Sequence, residues 1–268
     1  MINVLLCEPN TPLGLSFLKL TEKKPNIRVR AALDVIENES TEVLHTKVKT
    51  YFKPEDIKEH FDIIIDAGSS ARPYEVQNLI NLAAKLRCPI IMNYESYSPE
   101  KERLIADAAK YLPIFRASHL SLNNYLFIET CASLAQVWSG DIEVIESNCN
   151  SKPVPCPIAV KIAEKMIKAR GFGSVIEGRI SGDELRKPGD ICITSVRGGI
   201  IAGEYEVRYF NGDCQFHATA REYGHSSFAM GLVRICEFMM NVKSPGLFGV
   251  TDVINSKRKE ATNRASAK

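Results

Sequence analysis

The stretch Phe61-Asp-Ile-Ile-Ile-Asp66 decides the fold. It is a short apolar run that ends in an acid, and such a run predicts a strand buried on both faces, as in a parallel sheet covered by helices. Similar runs recur on either side of it, with helical spacing between them. The predicted strands are residues 2–6, 27–33, 43–52, 61–66, 89–92 and 113–117, and the predicted helices are residues 13–22, 74–87 and 99–112. Strands that alternate with helices in this way predict a doubly wound parallel α/β sheet.

The pattern changes after Gly140. A long predicted helix, residues 120–138, carries the chain out of the first sheet. Beyond it, strand patterns follow one another through glycine-containing turns such as Asn211-Gly-Asp213. The predicted strands are residues 141–147, 191–196, 199–209 and 215–221, and the predicted helices are residues 158–170 and 226–240. These elements predict a second domain of the α+β class with a mixed or antiparallel sheet.

The end of the chain carries two further predictions. Residues 248–253 are expected to return to the first domain, and the tail from Ser256 is expected to be a frayed end because it is rich in Lys, Arg, Ala and Ser.

Composition excludes several classes of protein. The 268 residues are 45% hydrophobic and 25% charged, as in a globular protein, and a net charge of +2 gives no reason to expect nucleic acid or an anionic membrane as a partner. No apolar run reaches transmembrane length. The eight cysteines have no C-x-x-C pair or regular spacing, which favours reduced thiols in a cytoplasmic protein.

The loop between the predicted strand 141–147 and helix 158–170 is where an α/β enzyme often has its active site. It reads Ile145-Glu-Ser-Asn-Cys-Asn-Ser-Lys-Pro-Val-Pro-Cys-Pro-Ile-Ala-Val160. Between Glu146 and Ile158 the only formally charged side chain is Lys152, and the segment has no histidine, aspartate or glycine. The question is what chemistry one amine, one or two thiols and several amides can perform there.

Three segments of the second half carry a resemblance to a known family. Asp141-Ile-Glu-Val-Ile-Glu146 followed by Lys152 resembles the dihydrodipicolinate reductase signature E-x-H-H-x-x-K-x-D-x-P-S-G-T-A. The segment from Ser195 to Glu204 is similar to that family's S-V-R-G-G-x-x-x-G-x-H, and Phe228-Ala-Met-Gly231 is similar to its F-A-x-G. The order of strands and helices agrees over nearly the whole chain.

The resemblance implies a fold, a domain division and an assembly. It implies a Rossmann-like N-terminal domain, residues 1–118 with a return of about residues 241–268, and an α+β domain with a mixed sheet, residues 119–240. It also implies a homotetramer, because in this family the mixed sheet packs against copies of itself.

The nucleotide loop departs from the family pattern. The family has roughly G-x-x-G-R-M-G after the first strand, whereas this chain has Glu8-Pro-Asn-Thr-Pro-Leu-Gly14 and keeps only Gly14. Glycines let backbone N–H groups approach a pyrophosphate at a helix N-terminus. Pro9 and Pro12 each remove an N–H donor, and Glu8 adds negative charge. We therefore expect no nicotinamide cofactor in the usual pose. Binding of NAD(P)H is possible but disfavoured, with Gly14 as the one remaining cofactor-type residue.

The catalytic positions depart from the pattern as well. Asn148 and Cys149 stand at the family's histidine pair, Tyr205 stands at a third histidine, and Pro157-Ile-Ala159 replaces the Ser-Gly-Thr that grips a substrate carboxylate. Lys152 alone keeps its place. These replacements predict a family member that has abandoned the standard reaction.

Four residues of the loop are the candidate catalytic groups. In the family the lysine at position 152 helps to protonate or position an imine substrate, and a partly desolvated lysine can have a lowered pKa. Cys149 could act as a nucleophile if Lys152 stabilised its thiolate. Glu146 is expected to orient the loop, and Asn148 lies beside it in sequence. A solvated loop lysine and an inert cysteine are the simpler alternatives.

Other candidates come from the turn after the second predicted strand of the second domain and from strand ends of the first. Arg197, Gly198 and Gly199 border the substrate site in the family, and Arg197 could hold a carboxylate, although a purely structural turn fits equally well. His119 follows a predicted strand end and is a further substrate-binding candidate. Glu8 and Glu95 are cleft candidates for acid–base chemistry, or solvent-facing acids. A metal site is not expected, since the Cys149-x6-Cys156 spacing is a weak signal.

Three functions remain open from the sequence. The first is a repurposed enzyme that acts on a small carboxylated or amine- or imine-bearing metabolite around Lys152 without nicotinamide. The second is a nicotinamide-dependent reductase of the lysine and diaminopimelate pathway type with altered cofactor binding. The third is a non-catalytic paralogue that binds a metabolite or a partner protein.

Overall fold

The protein forms two compact units. The computed structural model describes residues 1–34, 48–68, 76–93, 98–116, 122–180, 182, 185–224 and 226–266. Unit 1 comprises residues Met1–Leu122 and Phe228–Lys268, and unit 2 comprises residues Asn123–Ser227.

The strands in chain order are β1 (Ile2–Cys7), β2 (Ile27–Leu33), β3 (Lys49–Tyr51), β4 (Ile63–Asp66), β5 (Ile90–Met92), β6 (Pro113–Arg116), β7 (Asp141–Asn148), β8 (Val175–Ile176), β9 (Ile191–Arg197), β10 (Gly203–Asn211), β11 (Cys214–Glu222) and β12 (Gly246–Phe248). The helices are α1 (Pro12–Thr21), α2 (Val76–Leu86), α3 (Pro99–Ala108), α4 (Leu122–Val137), α5 (Pro157–Arg170), α6 (Ser226–Met239) and α7 (Val250–Ser266), with a short 3-10 turn at Pro54–Asp56.

Unit 1 is built on a seven-stranded sheet in the order β12-β6-β5-β4-β1-β2-β3, and all its neighbouring strands are parallel. The side chains of Ile63, Ile64 and Ile65 in β4 are fully buried. Both faces of this central strand are therefore covered, which is why it reads as an unbroken apolar run rather than an alternating one.

The chain reverses its winding direction between β1 and β4. From β1 the sheet grows through β2 to β3 on one side, and through β4, β5 and β6 on the other. The loops that follow β1 and β4 consequently leave the sheet in opposite directions, and ligands of open α/β sheets bind in the crevice at this switch point.

Unit 2 is built on a five-stranded mixed sheet in the order β11-β10-β7-β9-β8. β10 pairs antiparallel with β11 and with β7, whereas β9 pairs parallel with β7 and with β8. In β7, Ile142 and Val144 are buried in one core with residues of α4 and α5, whereas Asp141 at the start of the strand is exposed. One face of the sheet is thus covered by these two helices.

The predicted fold class is confirmed: a doubly wound parallel sheet is followed by a mixed-sheet α+β unit. The returning segment also exists, since β12 pairs parallel with β6 at the edge of the first sheet. The observed division of the chain falls at Leu122/Asn123 and at Ser227/Phe228. It differs from the predicted boundaries mainly in α6, most of which belongs to unit 1.

The prediction of a frayed tail from Ser256 is wrong, because the backbone is helical to Ser266 in α7. Val250 and Val253 are buried at the start of this helix and anchor it. Within the described ranges, no helix combines the length and the hydropathy that a membrane span requires.

Candidate functional site

The end of β7 places two polar side chains on the buried face of the unit 2 sheet. Side chains alternate between the faces of a strand, so Glu146 and Asn148 follow Ile142 and Val144 toward the helices. The Glu146 side chain is 0% exposed. A carboxylate in this position needs hydrogen-bond donors and a counter-charge, since burying an unpaired charge is costly.

Glu146 accepts hydrogen bonds from the side chains of Arg197, Ser195 and Asn148 and from one backbone amide. Its Oε1 accepts hydrogen bonds from Arg197 Nη2 at 2.6 Å and from the backbone N–H of Cys156 at 3.2 Å, and its Oε2 accepts from Asn148 Nδ2 at 2.5 Å. Burial raises the pKa of the carboxyl, but the hydrogen bonds, with that of Arg197 the largest, outweigh burial and leave the pKa below its ordinary value of 4.5. Glu146 is therefore an ionised anchor rather than a proton donor at neutral pH.

Arg197 clamps the loop that follows β7. Besides Glu146, its guanidinium donates to the carbonyl oxygens of Pro153, Lys152 (3.4 Å) and Val196 (2.8 Å). Four of its five N–H groups thus have acceptors within the protein. The candidate substrate-binding residue Arg197 lies in a structural contact, and a substrate carboxylate would have to displace some of these bonds.

The turn after β9 is joined to the same loop. The Gly198 N–H donates to the Asn148 carbonyl at 3.0 Å, and the Cys149 N–H donates to the Ile201 carbonyl at 3.0 Å. Gly199 has φ of +54°, a left-handed conformation that favours glycine. Gly198 and Gly199 therefore hold the loop and the turn in register.

Lys152 and Cys149 are the groups that the loop presents to solvent. The Lys152 side chain is exposed, and it makes no hydrogen bond or ion pair with any described residue. The Cys149 thiol is partly exposed, and its sulfur lies 3.3 Å from the Ser151 hydroxyl. The Ser151 hydroxyl and amide and the Lys152 ammonium lower the pKa of the Cys149 thiol.

Tyr205 and Cys156 are two buried side chains next to Glu146 and Asn148. The Cys156 thiol donates to the Tyr205 hydroxyl at 3.8 Å, and both side chains are buried. Burial raises the pKa of Tyr205 and of Cys156, although the backbone N–H groups of Ala159 and Ile158 at the start of α5 act in the opposite direction on the thiol. Two neutral, mutually bonded side chains therefore stand at this end of β10 and α5.

The β1–α1 loop of unit 1 is closed by its own side chain. The Thr11 hydroxyl accepts from the Gly14 N–H at 3.1 Å and donates to the Ala67 carbonyl at 2.8 Å. A Cβ at Gly14 would lie 2.5 Å from the Pro9 carbonyl oxygen, so this glycine is required by the loop's own backbone. With the Gly14 amide capped and prolines at positions 9 and 12, this described loop offers fewer free backbone amides than a glycine-rich phosphate loop. It does not fit a pyrophosphate in the usual pose.

Acids surround this loop at the carboxyl ends of the strands. Glu8 follows β1 with φ of +56°, and Asp66 ends β4 with only 5% of its surface exposed. Burial and, to a smaller extent, the charge of Glu8 raise the pKa of Asp66 to about 7, even though the hydrogen bond from the Gly68 N–H (2.9 Å) lowers it.

Comparison with known proteins agrees with this architecture. Residues 124–254 match the family model described as dihydrodipicolinate reductase, C-terminus. The chain is 28% identical over 257 residues, 95% of this chain and 98% of the relative, to a 4-hydroxy-tetrahydrodipicolinate reductase from Caldanaerobacter subterraneus subsp. tengcongensis. It is 27% identical over 258 residues to a protein of the same name from Clostridium botulinum, again with 95% and 98% of the two chains covered. The C-terminal half of the chain thus matches the dihydrodipicolinate reductase family model, and nearly the whole chain is similar to these reductases.

A solved structure supports the fold of the whole chain. Dihydrodipicolinate reductase from Paenisporosarcina sp. TG-14, solved with dipicolinate bound, superposes with a TM-score of 0.77 over 94% of this chain and 98% of that one, at 19% identity. At this identity the likeness establishes the fold alone.

The structure brings some of the predicted site residues together. Glu146, Asn148 and Arg197 form one bonded group, and Cys149 and Lys152 lie on the loop that this group holds. Gly14 and Glu8 lie in unit 1, and Glu95 and His119 fall outside the described residues. In the described ranges, no three His, Cys, Asp or Glu side chains are grouped as metal ligands.

Two acids of unit 1 were missed by the sequence analysis. Asp34 follows β2, is buried and accepts a hydrogen bond from Asn10 Nδ2 at 2.6 Å. In dinucleotide-binding folds an acid about 20 residues after the glycine loop binds the adenosine ribose, so its distance from Gly14 was a usable signal. Asp66 was seen only as the end of a strand, because its burial depends on neighbours distant in the sequence.

Proposed function

We propose that the chain is a dihydrodipicolinate-reductase-like protein that has given up the standard NAD(P)H-dependent reduction. It acts instead on a small carboxylated or amine- or imine-bearing metabolite through Lys152 and Cys149. The observation that carries the proposal is the bonding of Glu146, Asn148 and Arg197 to one another and to the loop backbone. These three side chains are hydrogen-bonded within the protein and position the loop, whereas the exposed Lys152 ammonium and Cys149 thiol are accessible to a ligand.

The two remaining groups support defined chemistry. The Lys152 ammonium can pair with a carboxylate or donate a proton to an imine nitrogen. The Cys149 thiol has a lowered pKa and can supply a thiolate for attack on an electrophilic carbon. Prolines at positions 153 and 155, with the Arg197 clamp, restrict the loop that holds both groups, and preorganisation of this kind favours catalysis.

The nucleotide loop supports the loss of the cofactor. Thr11 caps the Gly14 amide, and neither Pro9 nor Pro12 has an N–H to donate. The acids Glu8 and Asp66 at the ends of β1 and β4 oppose a pyrophosphate.

Two titrations test the proposal. Calorimetry with NADH and with NADPH is expected to give no binding at micromolar concentrations. Dipicolinate, which is bound in the Paenisporosarcina enzyme, serves as the carboxylated probe. It is expected to bind, and Lys152→Met is expected to weaken it at least tenfold, whereas the control Lys168→Met, the same change on the exposed surface of α5, is expected to leave binding unchanged. Equal binding by the two variants would contradict the role of Lys152.

Asp34 favours a second candidate function, a nicotinamide-dependent reductase with altered cofactor binding. Its buried carboxylate at the end of β2 suits the ribose hydroxyls of NADH and repels the extra phosphate of NADPH. This candidate predicts micromolar binding of NADH, weaker binding of NADPH and NADH-dependent reduction of 4-hydroxy-tetrahydrodipicolinate. Dipicolinate binding without turnover of any probe would instead favour a metabolite-binding paralogue.

A further inference from the structure

Exposed aliphatic side chains flank the two reactive groups on the loop after β7. The loop continues as Pro153-Val-Pro-Cys-Pro-Ile-Ala159, and the turn after β9 reads Gly198-Gly-Ile-Ile-Ala-Gly203, so neither segment contains a charged residue. Each segment presents branched aliphatic side chains to solvent, and their exposed fractions are 67% for Val154, 99% for Ile200 and 36% for Ile201. We call these residues the apolar rim.

Hydrogen bonds hold the rim beside the thiol and the ammonium. The Cys149 N–H donates to the Ile201 carbonyl at 3.0 Å, so the turn after β9 lies against the backbone of the reactive cysteine. The Arg197 guanidinium donates to the carbonyl of Pro153, the residue directly before Val154. The same guanidinium is anchored in the sheet by its ion pair at 2.6 Å. The rim, the thiol and the ammonium are therefore fixed to one end of the unit 2 sheet.

The rim has the composition of a ligand subsite. Exposed aliphatic residues scattered singly need no explanation, but a group of them beside reactive side chains is a common mark of binding. Ile200 is almost fully exposed, so it contributes nothing to the core of unit 2. Sites for small molecules are mostly apolar and contain a few polar groups that fix the orientation of the ligand. Lys152 and Cys149 are such polar groups here.

We propose that the apolar rim is the subsite for an aliphatic chain of the substrate, which makes that substrate a small carboxylate with an aliphatic chain. This inference rests on the proposed function, because it takes Lys152 and Cys149 as the groups that meet the substrate. The carboxylate pairs with the Lys152 ammonium, and the chain leaves water against Val154 and Ile200. The occupant is a small molecule rather than a protein surface, because a protein that covered the rim would also cover the thiol and the ammonium.

The chain length sets the size of the expected effect. A methylene group that leaves water completely increases affinity about fourfold, and half-burial on an open rim gives about twofold. Hexanoate has four more methylene groups than acetate, so it should bind roughly 15-fold more tightly.

Protection of Cys149 from alkylation measures this binding on the full chain. Hexanoate, acetate and 1-hexanol are the probes, iodoacetamide at constant ionic strength is the reagent, and peptide mass spectrometry separates Cys149 from the exposed Cys214. We expect hexanoate to protect Cys149 at a roughly 15-fold lower concentration than acetate and at a lower concentration than 1-hexanol. Cys214 should be alkylated at an unchanged rate.

Variants of the rim separate its contribution from that of the ammonium. Ile200→Thr and Val154→Thr keep the branch at Cβ and change side chains that are mostly exposed, so both variants should fold. Each should raise the concentration of hexanoate needed for protection severalfold and leave that of acetate unchanged. Leu185→Thr is the matched control, because Leu185 is 92% exposed and precedes Arg186, which pairs with Asp141 at the opposite end of β7. This control should not change either concentration.

The probes distinguish failure of this inference from failure of the proposed function. Equal protection by hexanoate and acetate would overturn the subsite and leave the role of Lys152 intact. Equal protection by hexanoate and 1-hexanol would support the subsite and count against Lys152 as the partner of the carboxylate. The subsite would also be overturned by the absence of protection, by protection that both rim variants retain, or by equal protection of Cys214. Alkylation of Cys149 that slows as the protein concentration is raised, without a probe, would mean that another copy covers the rim, and it would overturn the proposal as well.

Discussion

Replacing Glu146 by Gln tests whether the loop is held by a buried ion pair. Glutamine keeps the shape and one acceptor oxygen, but it presents an NH₂ group where Glu146 accepts from Arg197, Asn148 and the Cys156 amide. The Arg197 charge, with a side chain only 15% exposed, loses its partner. Breaking a buried pair by removing one member costs about 3–5 kcal/mol, and we expect a loss of that size in the free energy of unfolding of unit 2.

The single tryptophan provides the assay. Trp138 lies in unit 2, where its indole packs edge-on against Tyr209 at a centroid distance of 5.5 Å and donates to the Phe210 carbonyl. Urea unfolding followed by tryptophan fluorescence therefore reports on unit 2, independently of unit 1.

A matched variant separates this pair from ordinary surface charges. Glu204→Gln removes a carboxylate paired with Arg221 on the exposed side of the same sheet, and it should cost at most about 1 kcal/mol. A loss below about 1 kcal/mol in Glu146→Gln, or equal losses in the two variants, would refute the reasoning.

The same pair predicts a dependence on acid. Because the folded pKa of Glu146 lies below its ordinary value of 4.5, the stabilisation is complete above that value and is lost as the pH falls through the folded pKa. The unchanged protein should lose this stability below about pH 4.5, as measured by fluorescence-detected unfolding. The difference in the free energy of unfolding between it and Glu146→Gln should therefore become smaller there.

Three further predictions concern other parts of the molecule. The Ser151 hydroxyl lowers the pKa of the Cys149 thiol most, and the Lys152 ammonium adds a smaller contribution. Lys152→Met should therefore slow the alkylation of Cys149 by iodoacetamide at pH 7. Peptide mass spectrometry distinguishes this thiol from the exposed Cys214, and equal rates would contradict the coupling. The folded pKa of Asp66 is raised from 3.8 to about 7, so the free energy of unfolding falls as the pH rises through that window. Asp66→Asn should therefore stabilise the protein above pH 7 by up to about 4 kcal/mol. Thermal unfolding at pH 5 and pH 8 measures this difference, and a variant that is less stable at pH 8 than the unchanged protein would contradict the prediction. The chain should form a homotetramer, to be measured by light scattering at micromolar concentration, and a monomeric mass would contradict this.

The sequence predicted the first sheet because its strands are buried on both faces. Ile63, Ile64 and Ile65 have 0% exposure, and such a run leaves little ambiguity in its pattern. The helix α7 was missed because its apolar residues Val250, Val253 and Ile254 are confined to its first turns, while most of the remaining sequence is polar and charged. The helix depends on packing, which a local pattern does not record.

The candidate site was predicted in its parts and not in its connections. Alternation along β7 implies that Glu146 and Asn148 point inward with Ile142 and Val144. The partner of Glu146, however, is 51 residues away in sequence, and only the pairing of β7 with β9 brings Arg197 beside Asn148. The sequence therefore suggested a substrate-binding role for Arg197, whereas the structure places it in the loop clamp.

The N-termini of α1 and α5 differ in how the chain itself meets their amides. At α1 the Thr11 hydroxyl accepts a hydrogen bond from the Gly14 amide. At α5 the N-cap residue is Cys156, whose buried thiol lies beside the amides of Ile158 and Ala159. Since N-terminal amides are the usual uncharged partners of phosphates and carboxylates, a ligand anion must find a cation elsewhere. On the loop after β7 that cation is Lys152, because Arg197 already bonds to Glu146. The dipicolinate titration therefore tests Lys152 directly, because binding that survives Lys152→Met would require another partner for the anion.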